Sequence, residues 1–180
     1  MFKKSSLKVL ILIALFVAMN LVIVRFLSFQ IQFPRVRISF GYVSTALCSA
    51  LLGPFWGGVN ALIGDVLGAV LFPKGTYFVG YTISEVLRGV IYGWFFHKKE
   101  LTVKNIVLAV TTVYLVPNLL LLPFWDTLFY RFFLSNTQHT YWYFFIGKLT
   151  TYPILYGVQL GVLLVLFRSL KSFIDRNRIN

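Results

Sequence analysis

Residues 7–27 form an apolar run long enough to cross a lipid bilayer, and further apolar runs follow it as far as residue 167. A membrane helix needs about 20 mostly apolar residues. Only 12% of the chain is charged, where an ordinary soluble domain carries about a quarter. Mean hydropathy is +0.80. No water-facing surface can be built from so few charges, so the solvent that suits this chain is lipid.

The runs predict an all-α membrane protein with six transmembrane helices, near residues 7–27, 40–52, 59–72, 77–96, 101–122 and 141–167. Residues 1–180 read as a single transmembrane domain. A signal peptide is not the reading for the first run, because it is long and Arg25 closes it without a small-residue cleavage site. A polar, basic stretch at 28–39 separates the first two spans. The stretch Gly53-Pro54-Phe55-Trp56-Gly57-Gly58 predicts a tight turn, as does Pro73-Lys74-Gly75. Pro117 predicts a kink in the fifth span. Residues 123–140 read as an aromatic-rich loop or short helix.

Net charge is +12, but the basic residues sit at the ends of apolar runs, which speaks for membrane orientation and against nucleic acid. With six spans both termini share one side. That side would hold Lys3, Lys4, Lys8, Lys98, Lys99, Lys104, Arg168, Lys171, Arg176 and Arg178; the other would hold Arg25, Arg35, Arg37, Lys74 and Arg131. The excess predicts cytoplasmic N and C termini and an outward face made by 28–39, 73–76 and 123–140. Cys48 is the single cysteine, so no intramolecular disulfide is possible.

Four charged residues fall inside apolar runs: Asp65, Glu85, Arg88 and Lys148. A charge near the bilayer centre costs at least about 2.5 kcal/mol, so such groups face the bundle interior and mark a site. Glu85 and Arg88, three apart, share a helix face; they either meet a ligand or only neutralise each other. Asp65 lies between Gly64 and Gly68, where a helix or ligand can approach closely, or where it serves as a buried acceptor. Lys148 either binds or snorkels to the interface. The aromatics Tyr77, Tyr81, Trp125, Phe129, Tyr141, Trp142 and Tyr143 gather near the outward loops, where a flat heteroaromatic ligand would stack.

The chain lacks a zinc-protease motif, a Cys/His cluster, a Walker lysine loop and a hydrolase nucleophile motif. No metal or cofactor is expected. An intramembrane enzyme with Asp65 or Glu85 as acid or base has no partner nucleophile here. A carrier of polar, aromatic small molecules, energised by a partner or an ion gradient, is the better reading. In the first span Ala14 and Ala18, four apart, make a flat stripe on which another helix can pack.

The pattern then resembles a known family. Ala14 and Ala18, Arg37-Ile38-Ser39-Phe40-Gly41, Gly53 to Gly58, Gly64-Asp65-Val66-Leu67-Gly68, Phe72-Pro73-Lys74-Gly75-Thr76-Tyr77-Phe78-Val79-Gly80-Tyr81-Thr82 and Ile91-Tyr92-Gly93 are similar to the folate branch of the substrate-binding S components of energy-coupling factor (ECF) transporters. The resemblance implies a six-helix vitamin-capture subunit of the bacterial cytoplasmic membrane. Ala14 and Ala18 would dock on a transmembrane T component, and two cytoplasmic ATPases would power import. It implies folate first, with pantothenate or a pyridoxine-like vitamin as alternatives. On the folate reading, Asp65, Glu85 or Asp126 would accept pterin N–H groups. Arg37, Arg88 or Lys148 would take the glutamate tail, and Tyr77, Tyr81 and Trp125 would stack.

Overall fold

The computed structural model describes residues 4–26, 28–31, 36–73, 76–134 and 140–177. Helix α1 (Lys4–Phe26) runs into an antiparallel hairpin of β1 (Ser28–Ile31) and β2 (Val36–Ser39), paired from Ser28 with Ser39 to Ile31 with Val36. Then come α2 (Gly41–Leu52), α3 (Pro54–Leu71), α4 (Val79–Phe96), α5 (Val103–Val113), α6 (Leu122–Phe133) and α7 (Tyr141–Asn177). A π-helical segment, Tyr114–Leu121, joins α5 to α6 into one continuous rod. The described chain is thus helical apart from the small hairpin, which replaces the loop expected at 28–39.

Among the described residues, four helical stretches are long and apolar enough to cross a membrane: Leu7–Val24, Pro54–Leu71, Val103–Phe133 and Tyr141–Ser172. Helix α2 is apolar but shorter. Large apolar side chains such as Leu10, Val70, Trp94, Ile154 and Val165 stand exposed around the bundle, as they do where lipid is the solvent.

Proline explains three departures from the expected spans. Gly53 alone makes the turn between α2 and α3, at φ +97. Pro54 opens α3, because its missing N–H costs nothing in a first turn, so 54–58 is helix. Pro117 does not end or merely kink its helix. It lacks the N–H that would bond four residues back, and the backbone widens so that the Leu122 N–H reaches the Pro117 carbonyl, a π turn. Pro123 then sits in the first turn of α6, and the rod continues into residues where the sequence predicts a loop or short helix.

The bundle has two unlike ends. Toward the chain termini it is dry: Ile13, Phe16, Leu51, Tyr92, Phe96, Val110, Leu163 and Phe167 form a buried core, with Phe96 edge-on to Phe167 at 4.7 Å. Buried hydroxyls stitch helices there. Ser44 Oγ donates to the Phe16 carbonyl at 2.7 Å, and Ser49 Oγ to the Gly89 carbonyl at 2.9 Å. Helices α3 and α4 touch backbone to backbone, since a Cβ on Gly89 would lie 2.4 Å from the Gly57 oxygen. Gly89→Ala is therefore expected to destabilise by about 1–3 kcal/mol through overpacking. Gly157→Ala, which meets nothing within 4 Å, should stabilise by about 0.5–1 kcal/mol. Melting temperatures of the two variants in detergent should move in opposite directions.

Candidate functional site

The other end of the bundle, where α1, α3 and α6 finish and α2, α4 and α7 begin, is hollow. A cavity of about 240 Å³ opens among these helix ends. Asp65 from α3, Tyr81, Glu85 and Arg88 from α4, Asp126 from α6 and Lys148 from α7 all line it. Six residues expected to carry the site, up to 83 positions apart (65 to 148), thus converge on one space.

Their hydrogen bonds form three groups. Arg88 donates through Nη1 to both Glu85 oxygens at 2.7 and 2.6 Å, and through Nη2 to Asn118 Oδ1 at 2.7 Å. The three-residue spacing on α4 supplies the pair, and the π segment supplies Asn118. Lys148 pairs with Asp126, whose other oxygen accepts the Tyr81 hydroxyl at 2.7 Å. Lys148 and Asp126 are each only 4% exposed, so Lys148 does not snorkel outward; it closes an internal ion pair between α6 and α7. Asp65 Oδ2 accepts from Thr82 Oγ1 at 2.6 Å, and Thr82 meets the Tyr77 hydroxyl at 2.6 Å. Since the single Thr82 proton goes to the carboxylate, the Tyr77 hydroxyl donates to Thr82.

Tyr77 and Trp125 stand outside the cavity wall. Tyr77 is an exposed support for Thr82 and through it for Asp65. The Trp125 indole N–H donates to Ser84 Oγ at 3.1 Å. Its ring packs in a cluster about Phe78, 6.1 Å from Trp125, 5.9 Å from Phe129 and 5.5 Å from Tyr81. Of the aromatics expected to form a stacking shelf, Tyr81, Trp125 and Phe129 pack edge-on against Phe78 instead. The rings that face the cavity are Phe40, Tyr42, Tyr81, Tyr114 and Tyr152. Arg37 lies on β2 opposite Gln30; its side chain falls outside the described residues.

Sequence reasoning passed over the uncharged polar lining. Asn20 of α1, Asn118 of the π segment and Gln159 of α7 are 7%, 7% and 6% exposed and all face the cavity. Gln159 donates to the buried Tyr92 hydroxyl. The signal was there: an amide inside an apolar run also needs a partner, though less conspicuously than a charge.

On α1 the exposed residues Leu7, Ile11, Ala14, Leu15, Ala18 and Val22 recur at helical spacing and make one outward apolar face. Ala14 and Ala18 sit in its middle.

The chain matches, over residues 4–164, the family described as ECF-type riboflavin transporter, S component. It is 40% identical over 121 residues to a folate transporter FolT of Clostridium novyi (strain NT), covering 67% of this chain and 69% of that protein. It is 27% identical over 166 residues to a folate transporter FolT of Leuconostoc mesenteroides subsp. mesenteroides, covering 89% and 85%. Its chain course is similar to a crystal structure of FolT bound with folic acid, with a TM-score of 0.78 at 31% identity over 93% of this chain and 95% of that one.

Proposed function

The chain belongs to the ECF transporter S-component family, a membrane transport subunit and not an enzyme, and from that premise we propose that it captures folate at the outer face of a bacterial cytoplasmic membrane for import. Six spans with cytoplasmic termini, a single domain over 1–180, and association with a T component and two ATPases complete the reading. The helix α4, short in apolar residues because it carries Glu85 and Arg88, counts as one of the six, as does α2.

The observation that carries this reading is the likeness of chain course to a FolT bound with folic acid, joined to a polar cavity at one end of this bundle. Chemistry supports folate in particular. Asp65, Glu85 and Asp126 put carboxylate acceptors in the described lining, beside Arg88 and Lys148. Such a lining favours a neutral head rich in N–H donors, which a 2-amino-4-oxopterin is. A flavin ring offers a single N–H at its rim and fits less well. The anionic glutamate tail finds no surplus of cations among these residues, so it points toward the hairpin, where Arg35 and Arg37 lie in sequence. A drug-sized ligand usually fills about 300–1,000 Å³, consistent with a head inside and a tail reaching the mouth.

A thermal-shift panel of folic acid, riboflavin, pantothenate and pyridoxine tests the reading. A ligand at a hundredfold excess over its Kd stabilises by about 2.7 kcal/mol, so folic acid should raise the melting temperature by several degrees. A shift with another vitamin and none with folic acid would reassign the substrate. Asp65→Ala should weaken folic acid by about tenfold or more, the scale of a lost charge-assisted hydrogen bond; isothermal titration giving unchanged affinity removes Asp65 from the site.

A further inference from the structure

We infer that Asn20 of α1 is a specificity-determining residue that pairs its side-chain amide with the cyclic-amide edge of the vitamin's fused heteroaromatic ring. The inference rests on the vitamin-capture reading above and assigns a subsite within it.

Asn20 faces the cavity and is only 7% exposed, yet it makes no hydrogen bond with any described residue. Its amide lies in a slot with glycine walls. A Cβ on Gly41 would come within 3.1 Å of Asn20 Oδ1, and one on Gly64 within 3.0 Å of Asn20 Nδ2. The side chain is thus confined from two helices that offer it no polar partner. Tyr42, also in the lining, carries a buried hydroxyl without a partner among the described residues. The Asn20 amide, open to the cavity and without a described partner, contrasts with Arg88, Asn118, Asp126 and Lys148 of the same lining, which have hydrogen-bond partners there. A cavity-facing amide with no protein partner has both its donor and its acceptor available to a ligand.

The chemistry of the group names the edge. A carboxamide presents an acceptor and a donor side by side. Its complement is an N–H adjacent to a C=O, which closes a two-bond ring. The pterin of folic acid carries that edge at N3–H and C4=O, and the isoalloxazine of riboflavin carries it at its N3–H. In the pterin case the neighbouring 2-amino group remains to meet a carboxylate such as Asp65.

The test uses the full-length protein in detergent, unmodified and as Asn20→Leu and Asn20→Ser, titrated with folic acid and with riboflavin, beside the melting temperature without vitamin. Leu keeps the volume and removes the amide. The expected result is a vitamin-free melting temperature unchanged or raised, with affinity for the bound vitamin weakened about tenfold or more. A merely structural Asn20 gives the opposite signature, a lowered melting temperature. That result, or affinity within about twofold of the unmodified protein, overturns the inference. If Asn20→Leu does not fold, Asn20→Ser decides it: a hydroxyl cannot span both positions of the edge, and unchanged affinity overturns the assignment. Unmodified protein that binds riboflavin but not folic acid overturns the folate reading alone, and the Asn20 comparison is then read on riboflavin. Protein that binds neither overturns both.

Discussion

Lys148→Met alone is expected to destabilise the protein by about 3–5 kcal/mol, and the double replacement Asp126→Leu with Lys148→Met by clearly less. The two groups are each 4% exposed and paired between α6 and α7. Removing the ammonium strands a carboxylate in a bundle interior, where the cost of an uncompensated charge is of that size. Removing both relieves it, although the Tyr81 hydroxyl, which donates to Asp126 at 2.7 Å, then loses an acceptor worth about 1–3 kcal/mol if left unpaired. Reversible melting in detergent without vitamin would order the variants as unmodified, double, single. A double variant no more stable than Lys148→Met would mean that the pair does not hold the α6–α7 contact by charge balance. The ordering also bears on the cavity: an ion pair satisfied internally is a fixed wall, and a ligand need not neutralise it.

That pair shows where the sequence was legible and where it was not. The apolar runs were read from hydropathy because lipid demands them, and Glu85 and Arg88 were placed together because a helix puts residues three apart on one face. Lys148 and Asp126 are 22 positions apart, and no local rule joins them. Their meeting depends on α6, where the sequence predicts a loop or short helix, and on how the chain accommodates Pro117, read as a kink, and then Pro123. The backbone absorbed the first as a π turn and placed the second in a first turn, and the continuous rod carries Asp126 to Lys148. The same rod sets the cavity wall. Tyr114, Asn118, Leu122 and Asp126 all line it at steps of four. In a pure α-helix each such step overshoots a turn by about 40°, about 120° over three steps. A π turn, with bonds five residues long, is undershot by four residues, so the two kinds of step offset and keep the four side chains in line. Asn20 and Gln159 are less legible for a different reason: an uncharged amide in an apolar run stands out less than a formal charge.

Ala14→Trp and Ala18→Trp, singly, are expected to reduce vitamin uptake to background while leaving folic acid affinity within about twofold. Both alanines are exposed on α1 among Leu7, Ile11, Leu15 and Val22, so an indole there displaces nothing inside the bundle. The cavity side of the helix is elsewhere: at about 100° per residue, Ala18 and Asn20 project about 200° apart, and Asn20 faces the cavity. What an indole does change is how closely a second helix can come. Small residues four apart let membrane helices pack backbone to backbone, and without a hydrophobic effect between helices in lipid, that closeness is most of the attraction. A T component docking on this stripe would be held off by the width of a ring. Uptake of labelled folic acid by cells that also express the T component and both ATPases measures the loss, and titration of the purified variants measures the binding. Uptake at the unmodified level in both variants would remove the docking role from this face; loss of uptake together with loss of affinity would mean that the indoles had disturbed the fold, and Ala14→Leu and Ala18→Leu, with a smaller side chain on the same lipid-facing surface, would then have to separate binding from transport for the docking role to stand.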